Sequence, residues 1–247
     1  WWAWASGLTA ATVSAIFLAS PILIEPLFNN YQPVPDGEVR DAIVELANEA
    51  GIPQDRIFMF DGSRQSNNFT ANVSGIGSSA RIAISDVAMD QASLDEVKAV
   101  TGHEIGHFVL GHVWQIVLIL SVLALIFFYL SDRLYGWFAR RFGSDTTLHN
   151  PVGLPILLFM ASVFGVLTEP ATNTLSRNSE TAADIYSLQT VDLPDALASA
   201  LIKTAEYRDP RPGALQEALF YTHPSVEGRV RRAMEWKAKS ENAVQDE

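Results

Sequence analysis

Residues 94–130 read LDEVKAVTGHEIGHFVLGHVWQIVLILSVLALIFFYL, and this stretch decides the architecture of the chain. Its second half, residues 113–130, contains no charged side chain and is long enough to cross the hydrocarbon core of a bilayer as a helix. At the start of the first half, Ser93 and Glu96 have the spacing of a capping box, which satisfies the free backbone N–H groups at a helix start. We therefore predict one continuous helix that begins in solution and enters a membrane.

Two further stretches without charged residues, 1–24 and 151–168, are also candidate membrane helices. Soluble helices of this length usually carry a polar stripe, which these stretches lack. We predict a mainly α-helical membrane protein with three transmembrane helices, 1–24, 113–130 and 151–168. The other predicted segments are a polar segment with a small β element and the H-E-x-x-H helix, 25–112, a short loop, 131–150, and a helical tail, 169–247.

Composition excludes several classes of function. The chain has 247 residues and no Cys, so disulfide frameworks, cysteine proteases and Cys-ligated zinc are excluded, and a metal must be held by His and carboxylates. With 17 Lys and Arg against 28 Asp and Glu, the net charge is −11, and we expect no nucleic-acid partner. The chain opens on Trp1 with no cationic leader, and we expect it to be part of a longer protein.

The two long polar segments, 25–112 and 169–247, are predicted to lie on the same side of the membrane, because two crossings separate them. Orientation does not follow from charge, since the basic residues near the ends of the spans are equal in number on the two sides. They are Arg40, Lys98 and Arg177 on one side and Arg133, Arg140 and Arg141 on the other.

The predicted helix before the second span carries His103, Glu104 and His107 in the pattern H-E-x-x-H. Histidines at positions i and i+4 lie on one helix face and can bind one metal ion, while the glutamate can accept a proton from a neighbouring water. This pattern is typical of zinc hydrolases. Because the span begins six residues after His107, the metal is expected close to the membrane surface.

A catalytic zinc usually has three protein ligands and one open position, so a third ligand is needed on the same side of the membrane. The tail contains SRNSETAAD at residues 176–184, in which Glu180 and Asp184 lie four apart on one helical face. Glu180 can complete a site for one Zn²⁺ per chain, and Asp184 can accept the free ring N–H of a ligating histidine. Taken alone, the two carboxylates also fit a solvated acidic face.

Periodicity and turn residues predict the remaining elements. In the polar segment we predict a helix at Val39–Ala50 and strands at Arg56–Phe60, Asn67–Val73 and Arg81–Ser85. In the tail we predict helices from Ser176 to about Gln189, from Pro194 to Glu206 and from Ser225 to Ala238.

The combination of H-E-x-x-H at the edge of a membrane helix with S-R-x-x-E-x-x-A-D after two crossings resembles the type I CAAX prenyl proteases. These are integral-membrane zinc metalloproteases, and the HtpX-like proteases are their cousins. Further similarity lies in Ser66-Asn67-Asn68-Phe69, in Tyr221-Thr222-His223-Pro224 and in Arg229 six residues beyond that histidine. The resemblance implies a membrane zinc metalloendopeptidase with a zincin-like domain and a small β-sheet.

The resemblance also implies a role for each matching residue. His103, His107 and Glu180 bind zinc, and Glu104 is the general base and then the proton donor to the leaving amine.

His223 stabilises the oxyanion and is helped or oriented by Arg229. Asn67 or Asn68 lies on an edge strand that holds the substrate in extended form. The family pattern Asn-Ala-aromatic is Asn67-Asn68-Phe69 in this chain, so the choice between the two asparagines stays open.

By the same resemblance, the substrate is a peptide or protein, lipidated or membrane-associated, and the enzyme works in a lipid bilayer. The chain has no dilysine-type retention signal and a short predicted loop 131–150, which favours a bacterial inner membrane, and the resemblance places the active site towards the cytosol. An HtpX-like quality-control protease and a catalytically silent membrane scaffold remain alternatives. An intramembrane protease of the site-two type is disfavoured, because no Asp occurs in the span 151–168.

Overall fold

The computed structural model describes residues 1–75, 79–205 and 209–245, which form a mostly helical molecule with one small sheet. The helices are Trp2–Ala19 (α1), Glu25–Phe28 (α2), Glu38–Glu49 (α3), Asp86–Gln91 (α4), Leu94–Val109 (α5), His112–Arg141 (α6), Leu154–Thr190 (α7), Pro194–Lys203 (α8), Ala214–Phe220 (α9) and Val226–Gln245 (α10). The strands are Tyr31–Pro33 (β1), Ile57–Phe60 (β2), Ala71–Ser74 (β3) and Arg81–Ser85 (β4).

Three helical segments are long and apolar enough to cross a membrane: Trp2–Phe28, His112–Arg141 and Pro151–Thr190. Most of their large apolar side chains are exposed, which is costly in water and favourable in lipid. α1 packs along α6, and α6 packs on α7 through a small cluster that includes Tyr135 and Met160. The predicted fold class, a mainly helical chain with three candidate membrane helices and a small sheet, is confirmed.

The helix predicted to run from Leu94 into the membrane without a break is interrupted, so this prediction is wrong. α5 ends at Val109 and α6 begins at His112, because Gly111 adopts a left-handed conformation with φ of +68°. α6 then continues to Arg141, so much of the predicted loop 131–150 is helical.

α7 is one helix of 37 residues, and the prediction that a new helix begins at Ser176 is wrong. Serine is a common first residue of helices, but here Ser176 lies in the interior of α7. At about 1.5 Å per residue the helix is about 55 Å long, well beyond a hydrocarbon core of about 30 Å. Its C-terminal part therefore extends past the apolar span and packs against α5.

The sheet is mixed and has the strand order β1-β2-β4-β3. β2 and β4 are parallel, with Ile57 opposite Ile82, and each outer strand is antiparallel to its neighbour. The sheet packs against α3 and α5 around the buried residues Ile43, Ile84 and Ile105. β3 is an edge strand and lies beside α5, so it runs next to the H-E-x-x-H segment.

Most of the short elements agree with the sequence. The helix Val39–Ala50 and the strands Arg56–Phe60 and Arg81–Ser85 are confirmed to within one residue. The strand predicted at Asn67–Val73 begins only at Ala71. Asn67 and the next residue form a bend instead, in which a serine hydroxyl accepts the N–H of Asn68.

The tail contains one helix more than predicted, because α9 was not expected. α8 begins at Pro194 as predicted and ends at Lys203, and Glu206, the predicted end, lies outside the described residues. α10 begins at Val226, one residue after the predicted start, and is longer than expected.

The predicted capping box at the start of α5 is confirmed, and it is also a link to α8. The Glu96 N–H donates to the Ser93 hydroxyl, and the Glu96 carboxylate accepts the Ser93 N–H at 2.8 Å. The same buried carboxylate accepts hydrogen bonds from Ser199 at 2.6 Å and from Lys203 at 2.7 Å. Burial raises the pKa of Glu96, but these hydrogen bonds outweigh burial and lower it to about 2.

We expect Glu96→Ala to lower the free energy of unfolding at pH 7 by about 1–3 kcal/mol, because the Ser93 N–H, Ser199 and Lys203 lose the buried carboxylate that accepts their hydrogen bonds. Asp95→Ala removes the exposed neighbouring carboxylate and should change the free energy of unfolding by no more than about 0.5 kcal/mol. Denaturant unfolding of both variants in detergent measures the difference, and equal stabilities would contradict this account.

The stabilisation by Glu96 has a defined pH range, because its pKa is depressed in the folded state. It is complete above the ordinary value of 4.5 and is lost as the pH falls towards about 2. The difference between wild type and Glu96→Ala should shrink over that range.

Candidate metal centre

Two helices bring the three predicted metal ligands together. α5 carries His103 and His107, α7 carries Glu180, and one ligand atom of each lies within 4.8 Å of the other two. The Glu180 carboxylate oxygens are 3.5 Å from His103 Nε2 and 3.4 Å from His107 Nε2, and the two Nε2 atoms are 3.1 Å apart. Zinc takes nitrogen and oxygen ligands at about 2.0–2.2 Å, so ligand atoms this close to one another can share a single ion.

Glycine within the H-E-x-x-H segment allows the two helices to approach closely. A Cβ at Gly106 would lie 3.2 Å from Ala183 Cα and 3.1 Å from Tyr186 Cβ on α7. One turn further along, the Ser187 hydroxyl donates to the Ala99 carbonyl at 2.7 Å. The small residues and this buried hydrogen bond set the distance at which Glu180 faces the histidines.

Asp184 orients the first histidine from the side opposite Glu180. Its Oδ1 lies 3.0 Å from His103 Nδ1, which leaves Nε2 to face the ligand cluster. Arg229 donates from Nε and Nη2 to the two Asp184 oxygens at 2.8 and 2.6 Å, and its Nη1 lies 3.5 Å from Glu180. Arg229 thus reaches the candidate metal ligands largely through Asp184, an arrangement that fixes the ring of a ligating histidine.

The second histidine contacts His112, which the sequence does not single out. On a continuous helix His112 would point about 140° away from His107 and could not share its metal ion. Because α5 ends before Gly111, the His112 ring returns towards α5 and its Nδ1 lies 2.8 Å from His107 Nδ1. That nitrogen is the one opposite Nε2, so His112 contacts a candidate ligand from behind. Gly111 between the histidines is the feature that could have indicated this contact.

The carboxylates around the cluster favour a positive charge. Burial lowers the pKa of His103, but hydrogen bonds with Asp184 and Glu180 outweigh burial and raise it to about 9. For Glu104, burial raises the pKa of the carboxyl above its ordinary value, and the neighbouring histidines oppose this rise. The site is therefore suited to hold a cation, and Glu104 is suited to take up a proton.

A cavity of about 370 Å³ opens beside the cluster. Its lining contains Glu104 and Arg229, and it is bounded on the sheet side by Asn68 and the first residue of β3. Asn68 rather than Asn67 is therefore the asparagine that the structure places at the cavity. The apolar part of the lining comes from α5, α8 and the segment before β3, with Val100, Leu197, Leu201 and Phe69 as examples.

His223 reaches the same cavity from the loop between α9 and α10. Its Nε2 lies 3.4 Å from a Glu180 oxygen, and its Nδ1 lies 3.0 Å from the Thr222 hydroxyl. Of the residues predicted for the site, those of the zinc, acid–base and His-Pro motifs are thus brought together.

The chain is similar to known proteins in sequence and in fold. Residues 33–237 match the sequence profile of Peptidase family M48. The chain is 31% identical, over 98% of its length, to the Uncharacterized metalloprotease YhfN of Bacillus subtilis, of which it covers 57%. It is 33% identical, over 85% of its length, to the CAAX prenyl protease 1 homolog of Arabidopsis thaliana, of which it covers 50%. The chain thus spans about half the length of the curated relatives it matches.

The fold is similar to that of a solved structure, the crystal structure of S. mikatae Ste24p. The TM-score is 0.81 at 25% sequence identity, and the alignment covers 94% of this chain and 58% of that chain. This likeness and the three apolar helices identify an integral membrane protein. The region that matches the family profile includes every residue of the candidate metal centre, and the chain belongs to Peptidase family M48.

Proposed function

We propose that this chain carries the catalytic centre of a membrane zinc metalloendopeptidase. The observation that carries the proposal is the convergence of His103, His107 and Glu180 beside Glu104 in one cavity. Membership of a peptidase family supports the same conclusion, and it implies a peptide or protein as substrate.

The residues present fit zinc. Two imidazole nitrogens and one carboxylate oxygen are a common set of protein ligands for catalytic zinc, which keeps a further position open. When bound, one Zn²⁺ per chain would polarise the scissile carbonyl and increase the acidity of water. Asp184 and His112 would keep the Nε2 atoms of the two histidines facing the ion, because each contacts the Nδ1 atom of one of them.

The protein's own side chains would move the proton and stabilise the developing charge. Glu104 would take a proton from the attacking water and give it to the leaving amine, a role that its raised pKa suits. His223 would donate a hydrogen bond from Nε2 to the carbonyl oxygen as that oxygen becomes negative. Arg229 would act by holding Asp184, and through it His103, in place.

We propose that the substrate binds in extended form along β3. β3 is an edge strand that pairs with β4 in the sheet, and its first residue, Ala71, lines the cavity. A peptide added to that edge would gain backbone hydrogen bonds beside the metal centre. Asn68, which lines the cavity, would contact such a peptide, whereas Asn67 would act by shaping the bend before the strand.

The substrate class is proposed from the position of the site and from the relatives. His107 lies five residues before α6, so a peptide anchored in the membrane by a lipid could reach the cavity. Relatives named CAAX prenyl protease support a lipidated substrate. The relative that matches 98% of the chain is named only as a metalloprotease, so quality-control cleavage of unlipidated membrane proteins is the second candidate. We propose that the protein lies in a bacterial inner membrane, with the cavity towards the cytosol.

We expect Glu104→Gln to lower the hydrolysis of a farnesylated CAAX peptide by at least about 100-fold, because glutamine cannot accept the proton. Its zinc content should equal that of the wild type. Chromatography of the products, with and without a zinc chelator, measures the effect. Glu38→Gln removes an exposed carboxylate on α3 and should leave the rate unchanged.

Retained activity in Glu104→Gln would refute the role of this residue. A wild-type protein without zinc and without activity would instead identify a silent scaffold. The same assay on an unlipidated membrane segment separates the two candidate functions, since faster cleavage of that segment would favour quality control.

We expect Asp184→Asn to weaken zinc binding by about 10- to 100-fold, because the first histidine loses a charged partner behind its ring. Competition with a chromophoric chelator measures the affinity. Asp195→Asn, which alters a carboxylate on α8 that pairs with Lys237, is the matched control and should bind zinc like the wild type. Equal affinities in the two variants would show that Asp184 does not support the site.

A further inference from the structure

One face of α7 carries four polar residues that divide into two pairs. Asn173, Arg177, Glu180 and Asp184 are spaced by four, three and four positions, which places them along one side of the helix. The second pair belongs to the candidate metal centre. The first pair, which includes the arginine of the S-R-x-x-E motif, has no part in the function proposed above.

The first pair, Asn173 and Arg177, binds the C-terminal end of α9. Asn173 and Arg177 lie one helical turn apart, and together they donate to backbone carbonyls in the last turn of α9 and at its C-cap. Asn173 Nδ2 donates to Leu219 O at 2.7 Å, and Arg177 donates to Glu217 O at 2.8 Å, to Tyr221 O at 2.6 Å and to Ala218 O at 3.4 Å.

α9 depends on these contacts for its position. It has seven residues and no fully buried residue, and its large side chains Leu215 and Phe220 are 73% and 65% exposed. So short a helix is not stable alone. Of the carbonyls in its last turn, that of Glu217 accepts the N–H of the C-cap residue Tyr221 at 3.2 Å, and others need partners outside the helix. The buried amide of Asn173 and the guanidinium of Arg177 supply those partners and oppose the negative end of the helix dipole.

The loop after α9 carries His223, and hydrogen bonds to α7 and to α9 hold its two ends. At the entry, Arg177 binds the carbonyl of Tyr221, two residues before His223. At the exit, the Ser225 N–H donates to the Glu217 carboxylate at 3.0 Å, and α10 then supplies the arginine that binds Asp184. Contacts with α7, the helix that carries Glu180, thus lie on both sides of the loop in which His223 Nε2 stands 3.4 Å from Glu180.

We propose that Arg177, assisted by Asn173, is a positioning residue for His223. It fixes the end of α9 on α7 and so sets where the His223 imidazole stands relative to the candidate metal ligands. This inference rests on the proposed function, in which His223 stabilises the oxyanion. A guanidinium suits the task because its planar fork donates to several carbonyls at once, which a lysine ammonium does not reproduce.

The test is a double-mutant cycle on the full chain in detergent, with kcat and KM measured on the farnesylated peptide. His223→Ala should lower kcat by about 100-fold, the usual loss for one oxyanion donor. Arg177→Ala should lower kcat by at least about 10-fold with KM little changed. In a protein that already carries His223→Ala, the same substitution should lower kcat by less than about 2-fold. Zinc affinity of Arg177→Ala should match the wild type, since the hydrogen bonds of Arg177 go to Thr174 and to carbonyls of α9 and its C-cap and not to a candidate metal ligand.

Arg231→Ala is the matched control, because this arginine on α10 is exposed and binds Glu227, and its kcat should be unchanged. The kcat of Arg177→Lys should lie between those of wild type and Arg177→Ala. If Arg177→Ala does not fold, Arg177→Lys takes its place in the cycle.

Independent losses that multiply in the double variant would overturn the inference while the proposed function stands. Full activity of His223→Ala would overturn the role of His223 and the inference together. Loss of zinc binding or of folding in Arg177→Lys would also overturn it, because the arginine would then support the fold as a whole.

Discussion

The close contact between α5 and α7 is the constraint on which the rest of the site depends. α5 supplies two imidazoles and α7 supplies the carboxylate, and the ligand atoms meet where Gly106 lets the helix backbones come within contact of Ala183. α7 is continuous from its apolar span to the cluster, so the position of Glu180 is tied to the position of the helix in the membrane. α5 is separated from its span by Gly111, and that break lets His112 contact His107.

Buried charges around this contact are paired, as burial requires. Asp184 is 1% exposed and is bound by both His103 and Arg229, while Glu180 faces two imidazoles on α5, the imidazole of His223 and the same arginine. An unpaired carboxylate in either place would be strongly destabilising. Two contacts thereby hold α9 and α10 on α7. Arg229 of α10 binds Asp184 in the metal centre, and Arg177, nearer the N-terminus of α7, binds the end of α9.

The features that the sequence predicts are those fixed by local geometry. The i, i+4 spacing of His103 and His107, the capping box of α5 and the uncharged spans depend on neighbouring residues, and the structure has all of them. The approach of Glu180 and Asp184 to the histidines is a tertiary contact that the topology and the family resemblance predicted, but other features that depend on tertiary contacts were not predicted. Ser176 has the chemistry of a helix cap, but packing of α7 on α5 favours a helix that continues through it. The partners of Arg177 lie about forty residues away in the chain, and no local pattern indicates them.

The most direct test of the account is the zinc content of purified wild type and of Glu180→Ala after dialysis against metal-free buffer, measured by atomic absorption. The account predicts about one zinc per chain in the wild type and at most about one tenth of that in the variant, because two imidazoles alone form an incomplete site. Equal zinc in both proteins would contradict it, since the ion would then be held without the carboxylate of α7.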